Sequence, residues 1–231
     1  MDAVRIAELL DPFMGPRTAQ RLTPNALAHI SIYIDMLLRW NARINLTAIR
    51  DPEEIVLRHF GESLFAAIQL LNPQSPVSSA SSVVDSPSSV SSQSSVVRSF
   101  SVADLGSGAG FPGLPLKLWA PQISLTLIES NYKKATFLRE VVRSLALTNV
   151  NIKNARAESL TETFDLVTLR AVEDFASILP TAAARVAPGG RLGLLIGSAQ
   201  IEPARALLPH FSWSEAVPIP HSRSRVVLAG S

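Results

Sequence analysis

The chain has 231 residues, 47% of them hydrophobic and 17% charged, which is enough apolar material for one domain with an appendage. Its 21 Lys+Arg against 19 Asp+Glu leave a net charge of only +2, so total charge does not mark a nucleic-acid binder. The absence of cysteine excludes disulfides, thiolate-held zinc and a cysteine nucleophile. No apolar run approaches the roughly 20 residues of a membrane span. Met1-Asp2-Ala3-Val4-Arg5 carries no leader pattern, so a cytoplasmic chain off the membrane is expected.

Before Asp51 every Lys or Arg position is arginine: Arg5, Arg17, Arg21, Arg39, Arg43 and Arg50. Arginine suits bidentate phosphate contacts, although a GC-rich genome would produce the same bias. Thr23-Pro24 supplies an N-cap and a first-turn proline, after which Leu27, Ile30, Ile34, Leu37 and Leu38 recur at helical spacing. Asp51-Pro52-Glu53-Glu54 predicts a second helix start with a capping box, and Ile55, Val56, Phe60, Leu64 and Ile68 mark its buried face. Asn45-Leu46-Thr47, between the two, is too polar for core. From Ser75 to Ser99 the chain is mostly Ser, Val and Pro, with one acid (Asp85) and one base (Arg98). That composition predicts a flexible linker dividing the chain.

Beyond Phe100 the period changes. Ser101 to Leu105, Leu125 to Glu129, Asn149 to Lys153, Leu166 to Leu169 and Leu192 to Ile196 read as short strands. Helical stretches separate them, notably Lys133 to Leu145 and Phe175 to Val186. Strands alternating with helices predict an α/β fold, a parallel sheet covered on both faces. Arg225 to Leu228, after the Pro218-Ile219-Pro220 turn, should close it as an antiparallel hairpin.

The strongest local signal is Val102-Ala103-Asp104-Leu105-Gly106-Ser107-Gly108-Ala109-Gly110-Phe111-Pro112-Gly113, a strand entering a glycine-rich turn before a helix. Glycines belong where backbone must turn sharply and pass close to a ligand. Glu129, ending the next strand, is placed to accept from two ribose hydroxyls. Both a nicotinamide dinucleotide and S-adenosylmethionine fit such a series. The loop reads G-x-G-x-G rather than G-x-G-x-x-G, and Asp104 before it would repel a pyrophosphate but attract a methionine ammonium and sulfonium. Methyl transfer is therefore favoured over hydride transfer, and over a tight turn with no ligand.

Arg156-Ala157-Glu158 follows the third strand, where an acid could accept from an adenine amino group; the plainer role for Glu158 is a helix-start acid. Arg170 ends the fourth strand and should face the cleft beyond the carboxyl ends of the sheet, its plainer role being a surface ion pair. Ring-carbon methylation of a pyrimidine normally needs the missing cysteine. Leu169-Arg170-Ala171-Val172 is unlike the Asn/Asp-Pro-Pro-aromatic motif of exocyclic amine methylation. A ring nitrogen such as guanine N7 has a free lone pair and needs only alignment, and no general base is evident.

Taken in order, several motifs make the whole series resemble the bacterial small-subunit rRNA guanine-N7 methyltransferases, also called glucose-inhibited division protein B. They are Asn45-Leu46-Thr47-Ala48-Ile49-Arg50-Asp51-Pro52, Arg58-His59-Phe60, the Asp104-to-Gly113 loop, and Glu129-Ser130 with Lys133-Lys134 and Phe137-Leu138. Arg156-Ala157-Glu158 and Leu169-Arg170-Ala171 complete the match. The resemblance implies a Rossmann-like class I methyltransferase with a mostly parallel seven-stranded sheet and an N-terminal helical extension. The divisions would be 1–72 for the extension, 73–99 for the serine-rich insertion and 100–231 for the core. It implies S-adenosylmethionine as cofactor, no metal, and 16S rRNA or the small ribosomal subunit as partner of a monomer. Cofactor contacts are implied from Gly106, Gly108, Gly110, Phe111, Glu129, Ala157, Glu158 and Arg170. Asn45, Arg58, His59 and Lys133 are implied on the RNA side, with Arg170, His59 and Lys133 positioning the substrate. By residue type alone, His59 is a helix residue partly buried beside Phe60.

The chain departs from that pattern in three places. Glu62 stands where the family usually has aspartate in His-x-x-Asp-Ser. Ile196-Gly197 replaces the frequent Lys-Gly, and the sequence stops at Ser231 without a basic tail. An NAD-linked oxidoreductase and a non-catalytic RNA- or protein-binding relative are the competing readings.

Overall fold

A computed structural model describes residues 1–15, 22–71, 99–171 and 174–231. The serine-rich stretch therefore lies outside the described residues except for Ser99. The N-terminal part holds helices α1 (Ala3–Met14), α2 (Pro24–Asn41), α3 (Pro52–Ile55) and α4 (Glu62–Leu71). Thr23 Oγ1 accepts from the Ala26 amide at 3.1 Å, and Asp51 Oδ1 from the Glu54 amide at 2.8 Å, so both expected starts are capped. The box at Asp51 is not reciprocal: no Glu54 side-chain bond joins it among the described residues, and Glu53 pairs with Arg5 at 2.8 Å instead. Helix α1 was not read from the sequence. Between α3 and α4, Val56–Gly61 forms a π-helical turn, a second feature that helical spacing did not foreshadow.

Among the described residues seven strands make one sheet: β1 (Ser101–Leu105), β2 (Ser124–Ile128), β3 (Val150–Lys153), β4 (Phe164–Arg170), β5 (Val186–Gly197), β6 (Val217–Pro218) and β7 (Arg225–Gly230). Their order is β3-β2-β1-β4-β5-β7-β6, with β1 to β5 parallel and β7 antiparallel to both neighbours. The crossovers carry α5 (Gly113–Trp119), α6 (Tyr132–Ser144) and α7 (Phe175–Ala183), and α8 (Ile201–Leu207) follows β5. The expected helix to Val186 stops at Ala183, because Val186 already pairs with Phe164. The register then jumps to Leu166–Arg191, so Ala187-Pro188-Gly189-Gly190 interrupts the ladder, and β5 starts well before the expected Leu192.

Period-two alternation divides the sheet into two faces. Val102, Leu125, Leu127, Leu166, Leu195 and Val227 pack into one core with α1, α2, α4, α5 and α6. Ala103, Ile128, Val167, Leu169, Leu194, Ile196, Val226 and Leu228 pack into the other with α7 and α8. The same alternation sets Asp104, Thr168, Arg170 and Arg225 on the face covered by the N-terminal helices, at the carboxyl end of the parallel strands. The N-terminal helices are thus one wall of the main core. No helix among the described residues is long and apolar enough to cross a membrane.

Candidate active site

The loop after β1 turns through three glycines with positive φ: Gly106 at 66°, Gly108 at 55° and Gly110 at 90°. They hold their positions for different reasons. A Cβ on Gly108 would meet nothing nearer than the Gly106 carbonyl at 3.8 Å, so this glycine leaves open space. A Cβ on Gly110 would strike the Tyr33 hydroxyl and lie 2.6 Å from Leu114 Cδ1, so this glycine lets α2 pack onto the loop. Glu129 closes the turn from the far side. Its Oε2 accepts from the Gly108 amide at 2.8 Å and its Oε1 from the Asn131 amide at 2.7 Å. A carboxylate has about four acceptor sites, so Glu129 keeps room for two further donors. Beside it opens a cavity of about 450 Å³ lined by Gly106, Ile128, Ser130, Arg156, Ala157, Glu158, Asp174 and Ile178, among others.

Asp104 behaves differently from its sequence reading as a cleft-facing acid. It pairs with Thr168 across β1 and β4, and its carboxylate accepts from Thr168 Oγ1 at 2.8 Å and from the Gly113 amide at 3.2 Å. Only 1% exposed, it ties two strands to the start of α5. Burial is the main reason its carboxyl is pushed up to about 6, with the Thr168 and Gly113 bonds opposing.

A second cavity, of about 250 Å³, lies between the ends of β4 and β5, lined by Leu169, Arg170, Phe175, Ile196, Gln200 and Arg225, among others. Arg170 is its structural hub. Its Nη2 donates to the Arg58 carbonyl at 2.6 Å and to Glu62 Oε2 at 3.0 Å, and its Nη1 to Ser63 Oγ at 3.4 Å. Glu62 is 1% exposed and shared, since Arg58 Nε lies 3.2 Å from Oε1 and Arg225 Nε 3.2 Å from Oε2. Burial brings Arg170 down to about 10, still charged at neutral pH. The π-helical turn presents Arg58 and His59 to this cluster.

His59 lies between Arg170 and the Asn45-to-Thr47 loop. Arg170 can only donate, so His59 Nδ1, 3.3 Å from Nη2, is the acceptor; Nε2 then carries the proton and donates to Thr47 Oγ1 at 2.7 Å. Burial first, then the charges of Arg170, Arg225 and Arg58, push its pKa down to about 3. The ring stacks on Phe111 at 4.7 Å between centroids, and Phe111 stacks in turn on Tyr33 at 5.4 Å. Tyr33 is fully buried and donates its hydroxyl to the Ala109 carbonyl in the glycine loop.

The linkage has a measurable sign. The unfolded chain protonates His59 near 6.5 and the folded chain only near 3, so this group's contribution is complete above 6.5 and declines as pH falls toward 3. Asp104, raised from 3.8 to about 6, opposes it, adding stability as pH falls through 6. The melting-temperature gap between wild type and His59→Gln should therefore narrow as pH is lowered from 7 to 5. A constant gap would show that His59 is not held neutral.

The structure brings Gly106, Ala157 and Glu158 to the first cavity, with Glu129 between the lining residues Ile128 and Ser130 in sequence and bonded to the Gly108 amide. It brings Arg58 and His59 together at Arg170. Arg170 lines that second cavity rather than the first. Gly110 and the ring of Phe111 are taken up by packing under α2. Lys133 is exposed on the first turn of α6, three residues beyond Ser130, and Asn45 is exposed two residues before Thr47. Sequence reasoning missed Tyr33, Arg225, Gln200 and the central place of Glu62. Tyr33 had a signal, since it sits in the apolar stripe between Ile30 and Ile34 with a hydroxyl that burial must satisfy. Arg225 and Gln200 had none, their partners being far away in sequence.

A parallel sheet reversing at β1 and β4, with β7 inserted antiparallel beside β5, a glycine loop after β1 and an acid after β2, defines a class I methyltransferase. Among solved structures, the ribosomal protein L11 methylase from Lactobacillus delbrueckii subsp. bulgaricus shares that fold, with a TM-score of 0.50 at 18% identity over 59% of this chain and 72% of that one. The family model described as rRNA small subunit methyltransferase G matches residues 26–85 and 80–218. The ribosomal RNA small subunit methyltransferase G of Xanthomonas campestris pv. campestris (strain 8004) is 36% identical over 203 residues, covering 87% of this chain and 83% of that protein. Its Xylella fastidiosa (strain 9a5c) namesake is 39% identical over 181 residues, covering 78% and 73%. The chain belongs to the rRNA small subunit methyltransferase G family.

Proposed function

We propose that this protein transfers a methyl group from S-adenosylmethionine to N7 of a guanine in 16S rRNA. One observation carries the reading: a nucleoside-sized cavity lies beside Glu129, and at the ends of β4 and β5 a second cavity is lined by Arg170 and Arg225, with no histidine or carboxylate among its described lining residues. Family membership supports the rRNA substrate.

The first cavity suits the adenosine part of the cofactor. Ile128, Ala157 and Ile178 offer apolar flanks, Glu158 an acceptor for the amino group, and Glu129 its remaining acceptor sites for the ribose hydroxyls. When bound, S-adenosylmethionine supplies an electrophilic methyl on a cationic sulfur. Three carboxylates at or beside this cavity, Glu129, Glu158 and Asp174, favour a cationic ligand over the pyrophosphate of a dinucleotide. Gly108→Val should therefore abolish binding of S-adenosylhomocysteine, by placing a branched side chain in space the ligand needs. Undiminished affinity in calorimetry would move the site elsewhere.

On the substrate side, His59 is neutral with both ring nitrogens engaged, and Arg170 holds its proton. A guanine N7 has no proton to lose before attack, so an arrangement without a base suffices and positioning supplies the catalysis. The direct test is turnover of labelled methyl donor on small subunits or 16S rRNA; no transfer to either would sink the reading.

We also propose that residues 1–72 act as a helical extension of the methyltransferase core of 100–231, and that 73–99 is a dispensable insertion. Replacing 75–99 with a short Gly/Ser loop should leave melting temperature and transfer nearly unchanged. A large loss of stability would show that its valines pack against the fold.

A further inference from the structure

Around Glu62 the charges do not balance. Three guanidiniums, those of Arg58, Arg170 and Arg225, converge on this single carboxylate. Asp104, on the same face of the sheet, is spent on Thr168 and Gly113. Arg170 directs its bonds inward to Glu62, Ser63 and the Arg58 carbonyl. Arg225 does not. It lies at ion-pair distance from Glu62, yet its guanidinium makes no hydrogen bond to a described residue, and it lines the second cavity. Gln200 lines that cavity too, its Oε1 occupied by the Gly197 amide at 3.0 Å, which leaves its amide nitrogen as a donor. None of the described lining residues is acidic. Among the described residues the cavity, about 250 Å³, therefore offers donors and positive charge with no carboxylate to oppose an anion. A carboxylate one methylene longer than aspartate lets Glu62 reach Arg58 through one oxygen and both Arg170 and Arg225 through the other.

We propose that this cavity is a phosphate site in which Arg225, backed by Arg170 and Gln200, holds a backbone phosphate of the RNA beside the target nucleotide. The proposal rests on the rRNA methyltransferase reading above. The phosphate supplies the second anion that three arginines and one carboxylate lack, and Glu62 keeps the guanidiniums in place before RNA arrives. Arg225 thereby becomes a binding residue contributed by β7, on the opposite side of the cleft from the glycine loop.

The test measures binding of a 16S rRNA fragment against salt concentration for the wild-type chain, R225Q, R225K and R143Q. Arg143, exposed at the last turn of α6, serves as a reference cation away from the cavity. R225Q should flatten the slope of log affinity against log salt by about 0.7 to 0.9, the share of one neutralised phosphate. R225K should recover most of the slope, R143Q should keep the wild-type value, and S-adenosylhomocysteine affinity should not change in any of them. An unaltered slope in R225Q overturns the site, as does an equal flattening in R143Q, which would mean bulk charge only. Should R225Q fail to fold, competition decides. Inorganic phosphate should displace RNA from the wild-type chain more effectively than chloride at matched ionic strength, and less so from R225K; equal displacement by both salts overturns the proposal. A wild-type chain that neither binds nor methylates rRNA would count against the functional reading itself. Normal methylation with an unaltered R225Q slope would count against the phosphate site alone.

Discussion

Replacing Arg170 with alanine should cost about 3 kcal/mol of folding stability and remove methyl transfer. Its side chain is 6% exposed and that of Glu62 is 1% exposed, so the substitution strips a partner from a buried carboxylate. Breaking such a pair typically costs about 3 to 5 kcal/mol. The lower end applies because Arg58 and Arg225 remain beside Glu62. The Arg58 carbonyl and His59 Nδ1 also lose their donor, which frees the π-helical turn that the arginine pins to β4. Arg170→Lys should fold better but transfer poorly, since one ammonium cannot reach Glu62, Ser63 and the Arg58 carbonyl in the fixed fork of a guanidinium. Denaturant titration and methyl-transfer assays on both variants check this. An alanine variant with near wild-type stability and activity would show the hub to be incidental.

Gly110→Ala should destabilise the fold by about 3 kcal/mol, whereas Gly108→Ala should cost about 1 kcal/mol. Both glycines have positive φ, 90° and 55°, so backbone strain is common to the two. What differs is space. The new Cβ at 110 would collide with the Tyr33 hydroxyl and with Leu114 Cδ1 at 2.6 Å, while the one at 108 has nothing within 3.8 Å. Tyr33→Phe alone should cost about 1 to 1.5 kcal/mol, by leaving the Ala109 carbonyl without its donor. Combined with Gly110→Ala it should cost less than the sum, because the clash partner is gone. Additive costs in that double-mutant cycle would separate the collision from the tyrosine.

The parallel sheet, the glycine loop and the position of Glu129 just after β2 were legible because each rests on local chemistry. Ala103, Leu105, Val167 and Leu169 belong to one face and Val102 and Leu166 to the other, and period-two burial writes that into short runs. The caps at Thr23 and Asp51 were legible for the same reason. Helix α1 was not, since Pro12 interrupts its apolar stripe and nothing nearby announced a core for Ile6, Leu10 and Phe13 to join. The π-helical turn was hidden because Ile55, Val56, Phe60 and Leu64 fit an ordinary helical face equally well; one extra residue per turn becomes visible only when Arg58 and His59 must reach Arg170. Asp104 had the right sequence position for a cleft acid, but strand register placed Thr168 opposite it and drew its carboxylate inward. Glu62 looked like a small departure from a pattern, and its three arginines come from positions 58, 170 and 225, a convergence only folding creates.

The central claim is tested most directly by mapping N7-methylguanosine across 16S rRNA from cells with and without this protein. The account predicts one guanine that carries the modification only when the protein is present, restored by the wild-type chain and not by Arg170→Ala. Identical N7-methylguanosine maps in the two sets of cells would contradict it.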